Sequence, residues 1–386
     1  MKKILMIVIS VLFLLIILEI GYLYQSSLKT KKSSFQPNQV IENPQNQKKS
    51  NLEKTTSITS GLEAKTQVKS DNSGCPEGFV RIPGSSTYQT KDFCIMKYEA
   101  KCDVNGDGTG DVSGLNTSYD GWDNSNDPCF GKDRKIVSSA KGWPVTRISQ
   151  ADAKNYCKNM GWHLSTNAEW MTIARNIEKN SSNWCANNTG NDCGGNLENK
   201  MLTIGHSNDV FIDAAIQASE NDNEACYSTT AKEINLACGK PNTEKRTHLL
   251  SNGAVIWDFS GNVWEWIDQT VKETDLPTAW NGKVIRGGGA WSDFNKKDDS
   301  DWYLKDMGIF QYNDLGPADR TLNSTNGTGR IYHNSNPGET AAGIFAVDRG
   351  GGWANYSNSG IYAVAMNRET VYTNVDVGFR CVVEIP

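Results

Sequence analysis

Two short stretches place carboxylates at spacings that suit a cation. Asp258-Phe-Ser-Gly-Asn-Val-Trp-Glu265 sets Asp258 and Glu265 around a glycine-containing turn. Calcium takes about six to eight oxygens, and a turn supplies main-chain carbonyls as readily as side chains. Asp103-Val-Asn-Gly-Asp-Gly-Thr-Gly-Asp111 repeats the D-x-N-x-D-G opening of a calcium loop, with Asp103, Asn105, Asp107 and Asp111 as candidate ligands. The twelfth place of that loop holds Gly114 in place of a bidentate Glu. The competing reading of both stretches is a hydrogen-bonded turn. The four histidines (163, 206, 248 and 333) are scattered and read as ordinary surface or core residues. The last thirty or so residues mix Tyr, Asn, Ser, Gly and Arg. That mixture suits recognition, because rigid amphipathic rings stand among adaptable hydrogen-bonding groups.

The elements that must position these residues begin well into the chain. Met1–Lys3 precedes an apolar run to about Tyr24, long enough to cross a bilayer and without an A-x-A cleavage pattern. Residues 1–24 are expected to form an uncleaved transmembrane signal anchor that places the protein in the cell membrane, its remaining domain outside the cytoplasm. Residues 25–74 carry eight lysines and few apolar side chains, which suits a disordered tether. The rest of the chain is acidic, with a net charge of about −10 out of −5 overall, and an acidic domain is a poor partner for nucleic acid.

All ten cysteines (Cys75, Cys94, Cys102, Cys129, Cys157, Cys185, Cys193, Cys226, Cys238 and Cys381) follow the tether, and none forms a C-x-x-C pair. This implies disulfides made in an oxidising compartment. Proximity along the chain suggests 75–94, 102–129, 185–193 and 226–238, leaving Cys157 for Cys381; the connectivity stays open at the level of sequence.

Between the cysteines, FVRIP at Phe79 and FCIMKYE at Phe93 read as strands. Ser149 caps a helix that closes near Gly161, and Ser165 or Thr166 caps a second, through about Ile177. Beyond Gly253 short strands and glycine-rich turns dominate, so the class is α+β with little regular structure. Arg286-Gly-Gly-Gly-Ala-Trp291 and Arg349-Gly-Gly-Gly-Trp353 echo one another, and the polar segment 292–348 between them reads as a long surface insertion.

FVRIPG, FCIMKYEA, PVTRISQADAKNYCKNMGWHLSTNAEWMTIAR, NGAVIWDFSGNVWEW, RGGGAW or RGGGW, and VGFRC occur in this order from Cys75 to Val383. In that order they resemble the formylglycine-generating-enzyme (sulfatase-modifying factor) group, a variant of the C-type lectin fold, over residues 75–386. The resemblance implies a Cys157–Cys381 bridge. It also implies calcium held by the Asp258 and Glu265 side chains with the Gly261 and Val263 carbonyls. The oxidising members carry two copper-binding cysteines where this chain has Gly360 and Ala365, and no thiol lies between Trp353 and Arg380. Without thiolates no Cu(I) site is expected, and the scattered histidines make no iron cluster.

WANYSNSGIYAVAMNRETVYTNVDVGFRC further resembles the variable region of proteins diversified by diversity-generating retroelements, which display a mutable face on this fold. The resemblance implies a variable region of about 353–381. Its ligand-binding positions would be Ala354, Asn355, Tyr356, Asn358, Tyr362, Ala365, Asn367, Arg368, Tyr372, Asn374 and Asp376, with Trp353, Gly360, Ile361, Val364, Gly378 and Phe379 as fixed scaffold. The expected function is a membrane-anchored, non-enzymatic display protein, with a surface ligand on another cell or a phage as partner. The alternatives are a divergent metal-dependent oxidase and a calcium-dependent adhesion or glycan-binding module.

Overall fold

Both helices expected from the sequence start where their capping residues place them. The Ser149 side chain accepts the Asp152 N–H and opens α1 (Gln150–Asn159), while Thr166 and Glu169 form a reciprocal capping box at the head of α2 (Asn167–Lys179). One face of α2 buries Trp170, Ile173, Ala174 and Ile177, and α1 buries Ala153 and Cys157.

The structure is a computed structural model that describes residues 72–110, 129, 135–186, 200–207, 245–272, 279–280, 283–284, 290–295, 312–333 and 343–385. All of them belong to the unit Thr66–Pro386. In chain order its strands are β1 (Phe79–Ile82), β2 (Phe93–Met96), β3 (Lys101–Asp103), β4 (Lys135–Val137), β5 (His163–Leu164), β6 (Trp184–Ala186) and β7 (Lys200–Leu202). There follow β8 (Thr247–Leu249), β9 (Val255–Trp257), β10 (Trp264–Lys272), β11 (Ala279–Trp280), β12 (Lys283–Val284) and β13 (Ala290–Ser292). The last five are β14 (Ile331–His333), β15 (Ile344–Arg349), β16 (Val364–Glu369), β17 (Val377–Phe379) and β18 (Cys381–Glu384).

Four strands pair in the order β1-β2-β18-β5, all antiparallel, so the chain end closes against the first hairpin. Six pair in the order β13-β14-β16-β15-β10-β17, with β14–β16 and β10–β17 parallel. Apolar residues cover both faces of the larger sheet. Val364 and Met366 join a cluster with Trp170, Phe259 and Phe345, whereas Ala363 and Ala365 join one with Trp264, Trp266 and Phe379. Successive residues of a strand point to opposite faces, so the first half of β16 is buried on both faces, while Asn367, Arg368 and Glu369 are half-buried.

Three disulfides lie among the described residues: Cys75–Cys94, Cys102–Cys129 and Cys157–Cys381, with Cα–Cα separations of 5.6, 5.5 and 5.5 Å. The last closes 224 residues and ties α1 to β18; a loop of that length is worth about 5 kcal/mol in the chain-entropy account. The side chain of Cys185 and all of Cys193, Cys226 and Cys238 lie outside the described residues.

Two expectations are corrected. The segment 292–348 is not a surface insertion, since it supplies β14 and β15 to the larger sheet and buries Leu315, Ile331, Phe345 and Val347. The expected membrane location is overturned: among the described residues no helix is long and apolar enough to cross a membrane. Residues 1–24, on which that expectation rested, and the tether to residue 71 lie outside the described residues.

Candidate ligand-binding site

The turn that carries Asp258 and Glu265 is built from buried charge. Asp258 and Asn262 adopt left-handed backbone conformations, with φ of 51° and 62°, a region that short polar residues tolerate best. Arg246 grips the Asp258 carboxylate through Nε and Nη2 at 2.7 and 2.6 Å. The Arg380 Nε donates to both oxygens of Glu265 at 2.7 and 2.9 Å. Arg380 also donates to the carbonyls of Asp258 and Lys97. Asn262 donates to the Glu99 carboxylate at 2.6 Å, with the Lys101 ammonium 4.0 Å from that carboxylate and sealed from solvent. Burial pushes the Glu99 and Glu265 carboxyls up and the Lys101 ammonium down to about 8.

This turn does not fit the expected calcium ion. Both carboxylates already face a buried guanidinium, and a calcium ion on the same oxygens would stand cation against cation. Gly261 is pressed against the His206 backbone, where a Cβ would come within 2.4 Å of its carbonyl oxygen. Val263 is buried, its N–H directed at Glu99.

The second loop uses its carboxylates internally. Asp103 accepts the N–H groups of Gly106, Asp107 and Gly108 at 2.7–3.0 Å. Asp107 accepts the Thr109 N–H and hydroxyl, and Asn105 donates to Asp107. Asp111 lies outside the described residues. Among the described residues no group of three or more His, Cys, Asp or Glu is placed to hold a metal ion.

The chain end behaves differently from one position to the next. Tyr362 and Ala365 depart from the expected solvent-facing patch: both are buried, because the strand they approach or occupy is covered on both faces. The Tyr362 hydroxyl donates to Glu178 at 2.6 Å under the Arg175 guanidinium, and burial holds that phenol well above its usual range. Tyr356 is exposed to 53% with φ of 51°. Asn358 accepts from Arg330 through its side chain while its N–H donates to the Asn355 carbonyl, and Asn367 is half-buried on β16.

Six expected positions do come together. Ala354, Asn355, Asn374 and Asp376, with Gly352, Trp353 and Val375, line a small open cleft. Arg368 reaches Asp376 through Nη2 at 2.9 Å and Asp348 through Nη1 at 2.8 Å. Its guanidinium carbon lies 5.0 Å from the centre of the Tyr372 ring and 5.8 Å from that of Trp264. Asn374 donates to the Tyr372 hydroxyl. Trp264 stacks at 6.2 Å on Trp291, which meets Tyr332 at 4.7 Å. Burial drives the Asp348 carboxyl up to about 7 although Arg368 pulls it down.

Sequence reasoning missed the framework half of this site, namely Asp348, Trp264 and Trp291, and within the segment it missed Val375. Asp348 directly precedes the RGGGW motif and Trp264 sits inside GNVWEW, so both flank stretches already singled out.

The main chain here is held by the framework. Trp353 N–H donates to Asn262 O, Tyr356 N–H to Ser207 O, Gly360 N–H to Gly350 O and Tyr362 N–H to Thr328 O. In return Trp264, Arg147 and Arg330 donate their N–H groups to the carbonyls of Asp376, Asn374 and Asn358.

Among solved structures the chain is similar to the Major Tropism Determinant P3c variant, at 12% identity and a TM-score of 0.34, over 80% of this chain and 53% of that one. It is also similar to Treponema denticola variable protein 1, at 13% identity and TM-score 0.31 over 77% and 85% of the two chains. PvdO from Pseudomonas aeruginosa matches at 15% identity and TM-score 0.28 over 82% and 97%. The chain thus spans about half the length of the Major Tropism Determinant chains. No curated protein sequence matches it. The sulfatase-modifying factor enzyme 1-like domain matches residues 40–385, nearly the whole chain. With the described fold and the Cys157–Cys381 bridge, this chain belongs to the sulfatase-modifying factor enzyme 1-like domain family.

Proposed function

We propose that this protein binds ligands through the cleft at Gly352–Asn355 and Asn374–Asp376, and that residues of about 353–381 are diversified to change what it binds. The observation that carries this reading is the division of labour in the segment. Its backbone is fixed by main-chain hydrogen bonds to Asn262, Ser207, Gly350, Thr328, Trp264 and Arg147. A backbone held through N–H and C=O groups keeps its course whatever side chains it bears. Ala354, Asn355, Tyr356, Tyr372, Asn374 and Asp376 remain at least partly open to a partner.

Binding is favoured over oxidation by what stands in place of the thiols. Ala365 is buried, and a Cβ on Gly360 would come within 2.3 Å of Thr328 and Gly329 backbone atoms. The partner would be a surface ligand on another cell or a phage.

Sequencing the region that encodes 353–381 across one growing population, together with its neighbouring DNA, tests the reading. A near-copy beside a reverse-transcriptase gene, with substitutions at adenines that alter 354–358 and 367–376, is the expected result. An invariant region with no template copy would overturn it.

A further inference from the structure

Arg368 occupies a site made to measure for a guanidinium. Two carboxylates bind its two terminal nitrogens, one each, at 2.8 and 2.9 Å. Two aromatic rings wall it, Tyr372 at 5.0 Å and Trp264 at 5.8 Å; a cation within about 6 Å of a ring centre is attracted by the ring's quadrupole. The acceptors outnumber the donors that use them. Asp348 is 1% exposed, yet its Oδ1 has no hydrogen-bond partner, and the Oδ1 of Asp376 is in the same state. Two carboxylates share one guanidinium, so whenever Asp348 is ionised one negative charge at the site has no cation of its own. Asp348 and Trp264 belong to the framework strands β15 and β10, whereas Arg368 and Asp376 lie in the segment proposed to vary. Asp376 also lines the ligand cleft, so the site and the cleft share a wall.

We propose that this site is a receptor for alkylguanidinium groups, with Arg368 as its resident and replaceable occupant. It rests on the binding reading above. In a chain bearing a small residue at position 368, an arginine side chain of a partner protein would enter along the cleft and take the place of Arg368. Trp353 and Val375 would meet its aliphatic stem, and Asp348 and Asp376 its head. The acidic balance of the chain beyond the tether suits a basic partner.

The test is chemical rescue in Arg368→Ala, with ethylguanidinium as the probe and urea and ethylammonium as controls. Thermal unfolding and tryptophan fluorescence are read against probe concentration. Ethylguanidinium is expected to bind R368A at least tenfold more tightly than it binds the wild type, more tightly than either control, and to lose that advantage in R368A/D348N. Equal weak binding to wild type and R368A would overturn the proposal, as would a response no greater than that to urea. Should R368A fail to fold alone, refolding in ethylguanidinium becomes the readout: selective recovery supports the receptor and no recovery refutes it. The binding reading survives such a refutation if the encoded region varies as described, so the two failures are separable.

Discussion

Two regions of this molecule pair arginine with carboxylate, and they do so to opposite ends. At the GNVWEW turn each acid has its own guanidinium, both oxygens are engaged, and Arg246, Asp258, Glu265 and Arg380 are all sealed from solvent. At the cleft one guanidinium serves two acids, an oxygen of each is left over, and Asp376 is 26% exposed. A matched, enclosed pair specifies a fold, because breaking it strands a charge in the interior. An unmatched, half-open one has acceptors to spare for something that arrives from outside.

The sharpest way to break this contrast is to remove one arginine from each region. Arg380→Ala should destabilise by about 4 kcal/mol or prevent folding, since Glu265 is left buried and unpaired. Arg368→Ala should cost less, about 2 kcal/mol, because Asp348 loses its partner in the interior while Asp376, 26% exposed, stays partly solvated. Chemical denaturation of the two variants checks the ranking, and equal costs would erase the distinction.

A pH titration sharpens it from the buried side. Burial holds His248 down at about 4, with its Nε2 bonded to the Thr203 carbonyl at 2.9 Å. A folded pKa below the unfolded value of about 6.5 gives stability that is present above that value. It is lost as the pH falls toward 4, about 3 kcal/mol in all for one such group. His248→Gln should therefore flatten stability between pH 6.5 and 4, as read by denaturant midpoints at fixed intervals of pH. A variant with the wild-type slope would remove His248 from the account.

At the open face the expected effects on folding are small. Tyr356→Ala should change stability by under about 0.5 kcal/mol, because the residue is largely exposed and is held by its main-chain N–H to Ser207. Smallest of all is the calcium effect: with Asp258 and Glu265 committed to arginine, neither added calcium nor a chelator should move the melting temperature. A clear rise with calcium would show that the turn opens to a metal.

What could be read in the sequence was local. Ser149 and Thr166 announced both helices, since a cap and its helix are neighbours in the chain. The family motifs carried the fold and the Cys157–Cys381 bridge. What could not be read depended on distant partners. Nothing near Glu265 reveals that its cation is Arg380, 115 residues away, so a carboxylate turn looked like a calcium turn. Tyr362 and Ala365 looked displayed because the segment is polar overall. Their burial follows from the apolar clusters packed on the two faces of the larger sheet, which neighbouring residues do not record. The framework residue Asp348 escaped for the same reason, being joined to Asp376 only through Arg368.

The central claim is that the open half of the segment recognises ligands while the covered half keeps the fold. A displayed library randomised at Ala354, Asn355, Tyr356, Tyr372 and Asn374, sorted first for folding and then against a panel of unrelated proteins, tests it most directly. Most clones should fold, and binders to different targets should differ at these positions. A library that mostly unfolds, or whose binders keep their specificity when these five residues are restored, would contradict it.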